Sequence, residues 1–229
     1  MHAPVFVLEL TQPPALNVQK VKPRFRGVSH FIAFCCALAA SVTLLLSPRS
    51  SSAYVGGLVY CGSVLLMFGM SALYHRPMWT LKMRRVFRRL DHAGVFFLIV
   101  GSFTAFWTLA PTELRSSAQL WAMWAAAMCG AVTFVVWTDM PRMLRAGTYV
   151  AMGLASMPLV LNLPQIIGWH RTGWVMFASA LYILGAAVYA RRWPNPDPKV
   201  FGYHEVFHVM VVLAAAIHFW AVVDLHWSI

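Results

Sequence analysis

The stretch HEVFHVMVVLAAAIHF, residues 204–219, places two histidines four residues apart at the start of a long apolar run. Residues four apart lie on one face of an α-helix, so His204 and His208 are predicted to stand side by side. The apolar residues that follow are typical of a helix that enters a lipid bilayer. The segment therefore predicts a candidate metal site at the edge of a membrane span.

The composition of the whole chain agrees with a membrane protein. Of its 229 residues, 60% are hydrophobic and 11% are charged, and the mean hydropathy is +0.65. Apolar runs of about twenty residues recur, which favours spanning helices over the alternating strands of about ten residues in a membrane barrel. We expect an all-α integral membrane protein with a seven-transmembrane helix bundle. The predicted spans are 28–46, 54–74, 91–109, 119–137, 147–167, 173–190 and 203–223, with Pro158 and Pro164 kinking or shortening the fifth.

Lysine and arginine are distributed unevenly between the two ends of these spans. Fifteen fall on one side and three on the other, so the positive-inside rule predicts a cytoplasmic N-terminus and an extracytoplasmic C-terminus. The fifteen are Lys20, Lys22, Arg24, Arg26, Arg76, Lys82, Arg84, Arg85, Arg88, Arg89, Arg142, Arg145, Arg191, Arg192 and Lys199, and the three are Arg49, Arg115 and Arg171.

This charge pattern accounts for the net charge of +11 through topology and contact with membrane lipids, without a nucleic-acid partner. We expect a multi-pass protein of the inner (plasma) membrane. Residues 1–27 are predicted to form a short cytoplasmic tail, and residues 28–229 the transmembrane domain.

Ionisable residues at membrane depth are the next signal, because they are costly there unless they have a function. The second predicted span ends in SALYHR at the cytoplasmic side, and the third and seventh spans begin on that side. Three helices are thus expected to bring polar side chains to one leaflet. These side chains are Ser71, His75, Asp91, His92, His204 and His208.

Imidazole nitrogens are good zinc ligands, but two of them rarely suffice. His75 would add a third ligand to His204 and His208 and leave a fourth position open for water, the arrangement of catalytic zinc sites. Asp91 is then the candidate general base, and Ser71 a candidate hydrogen-bonding partner of the water, of Asp91 or of a substrate oxygen. The sequence therefore predicts a zinc cofactor.

A second interpretation starts from the letters HEVFH, which match the short signature of zinc proteases. In that interpretation Glu205 activates the water and the third ligand comes from elsewhere. In the three-histidine interpretation Glu205 is a peripheral interfacial carboxylate near Lys199 or the basic second loop, where it contributes little energy. We favour the latter because His75 and Asp91 already supply a third ligand and a base.

Two stretches, SALYHRPMWTLKMRRVFRRLDHAGVFFLIVGSFTAF (71–106) and FGYHEVFHVMVVLAAAIHFWAV (201–222), resemble the hemolysin III family. This family is the bacterial branch of the progestin and adipoQ receptor superfamily, and the resemblance extends over residues 28–226. It implies seven helices with a cytoplasmic N-terminus and zinc held by His75, His204 and His208. It also implies that Asp91 and Ser71 lie beside the metal-bound water. Members similar to the adiponectin receptors are associated with ceramidase-like amide hydrolysis.

The chain departs from the family pattern in two places. The first-span stretch RFRGVSHFIAF (24–34) is basic and lacks the family's acidic residue and Thr-His-Gly, so the resemblance assigns no role to His30. The third-span stretch GSFTAF (101–106) lacks the family's proline, so that kink is not expected. The positions of the implied ligands are intact.

These observations predict a zinc-dependent integral membrane hydrolase of a lipid amide or ester bond, with zinc-bound water as the nucleophile and Asp91 as its base. Membrane lipids are the expected partners, and the substrate is expected to be lipid-like. A site at the membrane edge would admit a lipid sideways and water from the cytoplasm. The alternative is a non-enzymatic receptor-like or pore-forming protein whose zinc is structural.

Overall fold

A computed structural model describes residues 22–46 and 51–228; the start of the predicted tail and Arg49 lie outside this part. The described chain consists of α-helices joined by loops, with one 3₁₀ turn at Thr112–Leu114. The helices are α1 (Val28–Leu45), α2 (Ser51–His75), α3 (Leu81–Leu109), α4 (Ser117–Val136), α5 (Arg142–Leu154), α6 (Met157–Val160), α7 (Leu163–Arg191) and α8 (Tyr203–Ser228).

Five of these helices, α2, α3, α4, α7 and α8, are long and apolar enough to cross a membrane, counted over the described residues. The apolar stretch of α1, Val28–Leu44, is shorter. The expectation of an all-α, multi-pass membrane protein is therefore confirmed.

The predicted fifth span does not form one continuous helix. Instead, α5 ends at Leu154, α6 is a single short turn, and α7 begins at Leu163. Pro158 and Pro164 occupy the first turns of α6 and α7, where a missing backbone N–H costs nothing, so the expected interruption is confirmed. A break within α7 at Gly168 (φ 78°, ψ 160°) lies between the predicted fifth span, 147–167, and the predicted sixth span, 173–190.

Helix α3 begins at Leu81, well before the expected start at residue 91. The Thr80 side chain accepts a hydrogen bond from the backbone N–H of Met83 at 3.3 Å and thereby caps the helix. Hydropathy detects only the apolar part of this helix, because its first turns carry lysine and arginine. The added turns leave Asp91 in the interior of α3 rather than at its end.

The core forms where α3 packs against α2. Phe96, Val100 and Phe103 of α3 are buried. Gly101 permits close approach, because a Cβ atom there would lie 2.5 Å from Cβ of Ser63. Small residues at such contacts are common between membrane helices, where dispersion forces drive packing. Helix α8 packs mainly against α7 and also contacts α1 and α3, so α1, α2, α3 and α8 meet around one region.

One end of the bundle gathers the segments that carry the candidate site. Helix α2 ends at His75 because Pro77 follows closely and cannot continue the helical hydrogen bonds. The segment before α1 is held beside the start of α8 by a backbone hydrogen bond from Arg24 N to Lys199 O (3.1 Å). Lys22 Nζ donates to the Arg76 carbonyl at 2.9 Å. The end of α2 and the beginnings of α1 and α8 therefore lie together.

Candidate metal centre

Three histidines from two helices form a potential metal-binding group. His75 lies at the end of α2, and His204 and His208 lie on successive turns at the start of α8. One ring nitrogen from each lies within 4.8 Å of the others. His75 and His208 are buried and His204 is half-buried. The structure thus brings together the three histidines that the sequence singled out.

The donor set suits a zinc ion, and one pair of its nitrogens has the spacing that a tetrahedral zinc requires. Nε2 of His204 and Nε2 of His75 are 3.2 Å apart. Two nitrogens bound to one tetrahedral zinc at about 2.0–2.1 Å would be roughly 3.3–3.4 Å apart. Neutral imidazoles in a buried cluster are suitable ligands for zinc.

Asp91 and Ser71 lie at the same centre. Oδ2 of Asp91 is 3.8 Å from Nε2 of His75. Ser71, one turn before His75 on α2, is fully buried, and its side chain lies beside Asp91. Both residues line a small cavity together with His204 and His208. A carboxylate, a hydroxyl and two of the three imidazoles therefore share one space between the helices, and the third imidazole, that of His75, lies beside Asp91.

Glu205, by contrast, is engaged outside this group. Its Oε2 accepts a hydrogen bond from the backbone N–H of Gly202 at 2.8 Å. Its Oε1 is 2.5 Å from Nε of Arg26. Both contacts join the start of α8 to the segment that precedes α1. Glu205 thus has a structural explanation that does not involve a metal.

His92, next to Asp91, faces a different partner. Nη1 of Arg145 lies 3.0 Å from Nε2 of His92 and 3.1 Å from the Tyr189 hydroxyl. Arginine is always protonated, so it donates and His92 Nε2 accepts. This nitrogen is consequently occupied, and His92 is outside the three-histidine group.

Arg145 was counted from the sequence only as a topology signal, but it is buried and lines the cavity. The reason is that α5 begins at Arg142, so Arg145 lies on the first helical turn rather than in a loop. Ala146 and Met152 on the same helix are also buried. The spacing of these buried positions along one helix was the sequence signal that could have identified Arg145. It was missed because residue 145 was assigned to the loop between two spans.

Two further residues at the start of α1 touch the site and were not predicted to do so. The His30 ring stacks on His208 with centroids 3.7 Å apart. Gly27, at the N-cap of α1, has φ of 76°, and a Cβ atom there would lie 2.5 Å from Cβ of His75. Only glycine combines this left-handed backbone with such a close approach. Helix α1 therefore packs directly against two of the three histidines.

Comparison of the sequence with known proteins identifies the family of this chain. The family model described as Haemolysin-III related matches residues 18–219. The chain belongs to the haemolysin-III-related family. The resemblance seen in the sequence is thus confirmed, and the three histidines lie within the matched region of this haemolysin-III-related chain.

The relatives include bacterial and animal proteins. The chain is 24% identical over 219 residues to "Hemolysin-3" of Bacillus cereus, covering 93% of this chain and 96% of the relative. It is 28% identical over 183 residues to "Adiponectin receptor protein" of Drosophila melanogaster, covering 72% of this chain and 41% of the relative. It is 27% identical over 184 residues to "Progestin and adipoQ receptor-like protein 1" of Caenorhabditis elegans, covering 72% of this chain and 42% of the relative.

The match therefore spans less than half the length of these two animal relatives. No solved structure matches the chain significantly.

Proposed function

We propose that this protein is a zinc-dependent membrane hydrolase that cleaves an amide or ester bond of a lipid. The observation that carries the proposal is the three-histidine group beside Asp91 and Ser71 within a bundle of membrane helices, where His204, His208, Asp91 and Ser71 line one cavity. Zinc held by His75, His204 and His208 would activate a water molecule and polarise the scissile carbonyl.

The chain's own residues supply the remaining requirements. Asp91 is the general base, because its carboxylate is 3.8 Å from the ligand His75 and lines the same cavity. Ser71 orients Asp91 or a substrate oxygen through its hydroxyl. Apolar residues such as Met67, Val95 and Phe207 form other parts of the wall. A lipid chain could lie against them while its polar linkage reaches Asp91.

The alternative is a receptor-like or pore-forming protein in which the zinc is structural. The names of the relatives favour it, since they describe an adiponectin receptor, a progestin and adipoQ receptor-like protein and a hemolysin. A structural zinc would typically have a closed set of four ligands. The metal group among the described residues has three, which favours a catalytic site.

Incubation of the purified protein with mixed membrane lipids and ceramides distinguishes the two proposed functions. The hydrolase proposal expects free fatty acid and the matching amine or alcohol to appear by mass spectrometry, and to disappear after zinc removal by a chelator. The inverse result is a zinc-loaded protein that releases no product from any lipid class. That result would contradict hydrolysis and favour the receptor-like alternative.

The proposal includes seven crossings in the inner (plasma) membrane. Helices α5 and α6 with the first turn of α7, up to the break at Gly168, form one interrupted crossing, and the rest of α7 forms the next. The fifteen-to-three distribution of lysine and arginine supports the orientation. Arg26 pairs with Glu205 at the end that holds the histidines, whereas the Arg171 and Asp224 side chains pair near the C-terminus of α8.

Reporter fusions test this orientation. A reporter fused at the C-terminus is expected to behave as extracytoplasmic, and one fused after Arg89 as cytoplasmic, because fifteen of the eighteen lysines and arginines would then face the cytoplasm. Alkaline phosphatase and green fluorescent protein fusions report the two sides. Both positions on the same side of the membrane would contradict the seven-crossing arrangement.

The contact between Gly27 and His75 yields a prediction about the metal. In Gly27→Ala, the added Cβ would press on Cβ of His75 and would also strain the left-handed backbone. We expect zinc affinity to fall by about tenfold or more, as for other residues that orient ligands. Competition with a chromogenic zinc chelator measures the change. Gly62→Ala is the control, since a Cβ atom there would meet nothing within 4 Å; equal affinities in the two variants would argue against the prediction.

A further inference from the structure

His30 of α1 makes two side-chain contacts at the candidate metal centre without belonging to the three-histidine group. Its side chain is almost completely buried, with 1% exposed. Its ring is parallel to that of His208, with centroids 3.7 Å apart and 2° between the planes. Its Nδ1 is 2.7 Å from Oγ of Ser71. One ring therefore touches both a metal ligand and the hydroxyl beside Asp91.

We propose that His30 is a positioning residue of this centre, which fixes the ring of His208 by stacking and the hydroxyl of Ser71 by hydrogen bonding. The inference rests on the proposed zinc site and deepens it. It assigns α1 a role in a site whose ligands come from α2 and α8.

The stack matters because His208 lacks the usual means of holding a ligand ring. Metal-binding histidines generally donate their other ring N–H to a carboxylate, carbonyl or water, which fixes the orientation of the ring. Nδ1 of His208 is buried and makes no hydrogen bond among the described residues. Packing must therefore set the plane of this ring. His30 supplies a flat surface on one face, and Phe68 packs against the His30 ring with centroids 5.1 Å apart, which holds it in turn.

The hydrogen bond matters because a serine hydroxyl rotates freely unless a partner holds it. Ser71 lies beside Asp91 and one helical turn from the ligand His75. Because the Ser71 hydroxyl is hydrogen-bonded to His30, it has fewer orientations in which to contact Asp91. His30 therefore acts on the candidate base through Ser71, while it acts on the metal through His208.

Two substitutions separate these contacts. His30→Phe keeps a flat ring against His208 but loses the hydrogen bond to Ser71. His30→Asn keeps a polar group near the position of Nδ1 but removes the stacked ring. The measurement is the rate at which zinc passes from purified, folded protein to a chromogenic chelator. We expect His30→Asn to release zinc about 10–100-fold faster than wild type, the range for lost orienting partners, and His30→Phe to stay close to wild type.

The control is His218→Asn, because His218 is also a buried span histidine, stacked on Tyr182 with centroids 5.6 Å apart, but lies outside the metal group. Its zinc release should match wild type. Equally fast release from His218→Asn, or wild-type release from His30→Asn, would overturn the role assigned to the stack. A wild-type protein without zinc would instead overturn the proposed function on which the inference rests.

Thermal unfolding tests the hydrogen bond between His30 and Ser71. This test does not use His30→Asn, so it remains possible if that variant does not fold. Ser71→Ala should lower the unfolding temperature less in His30→Phe than in wild type, because the hydrogen bond to His30 is already absent there and only the contact with Asp91 remains to be lost. Fully additive effects of the two substitutions would show that His30 and Ser71 are not coupled and would overturn this half of the inference.

Discussion

Asp91→Asn is expected to retain zinc and lose at least about a hundredfold in turnover, the usual scale for the loss of a general base. Asparagine has nearly the same shape as aspartate and still forms hydrogen bonds, but it does not accept the proton of an attacking water. The carboxylate of Asp91 is 3.8 Å from Nε2 of His75, so the change occurs beside the metal group. The measurement is fatty acid release per zinc-loaded chain, with whichever lipid the purified protein cleaves.

Glu205→Gln is the matched comparison, since it neutralises another buried carboxylate at the same end of the bundle. Glu205 accepts a hydrogen bond from the Gly202 backbone and forms an ion pair with Arg26, and a glutamine can keep the hydrogen bond. We expect a much smaller loss of turnover. The opposite ranking, with Glu205→Gln nearly inactive and Asp91→Asn active, would favour the zinc-protease interpretation of HEVFH.

Loss of any one histidine of the metal group should remove most of the zinc. His75→Ala, His204→Ala and His208→Ala each leave two ligands, which rarely hold zinc in a protein. We expect about one zinc per wild-type chain and less than about a tenth as much in each variant. Elemental analysis of the purified proteins gives these ratios.

His218→Ala is the control for this series. His218 lies ten residues beyond His208 on α8, about 15 Å along the helix axis, so it is too far away to bind the same ion. Its zinc content should equal that of wild type. Zinc retained at the wild-type level in the absence of His75, His204 or His208 would rule out this site.

The sequence was sufficient to predict the grouping of the three histidines because membrane topology fixes depth. Hydropathy gives the direction of each span, and helical spacing gives the face, so His75, His204 and His208 converge without knowledge of side-chain contacts. The zinc-protease letters alone could not decide the role of Glu205. The contacts with Gly202 and Arg26 depend on how the segment before α1 folds back.

The contributions of α1 and α5 could not be predicted in this way. Arg145 belongs to the basic residues that report topology, and hydropathy cannot separate a buried arginine at a helix start from one in a loop. His30 and Gly27 contact His208 and His75 through the packing of α1, which leaves no spacing pattern in the chain. The break between α5 and α7 was expected from Pro158 and Pro164, but its position depends on where each short helix can begin.

X-ray absorption at the zinc edge of purified wild-type protein tests the central claim most directly. Three imidazole nitrogens from α2 and α8 should surround the zinc at about 2.0–2.1 Å, with no sulfur ligand. The contribution of imidazole rings to the absorption spectrum should be smaller for any zinc that remains bound to the His75→Ala variant. A sulfur shell at about 2.3 Å, or a purified wild-type protein that takes up no zinc from zinc-containing buffer, would contradict the three-histidine centre.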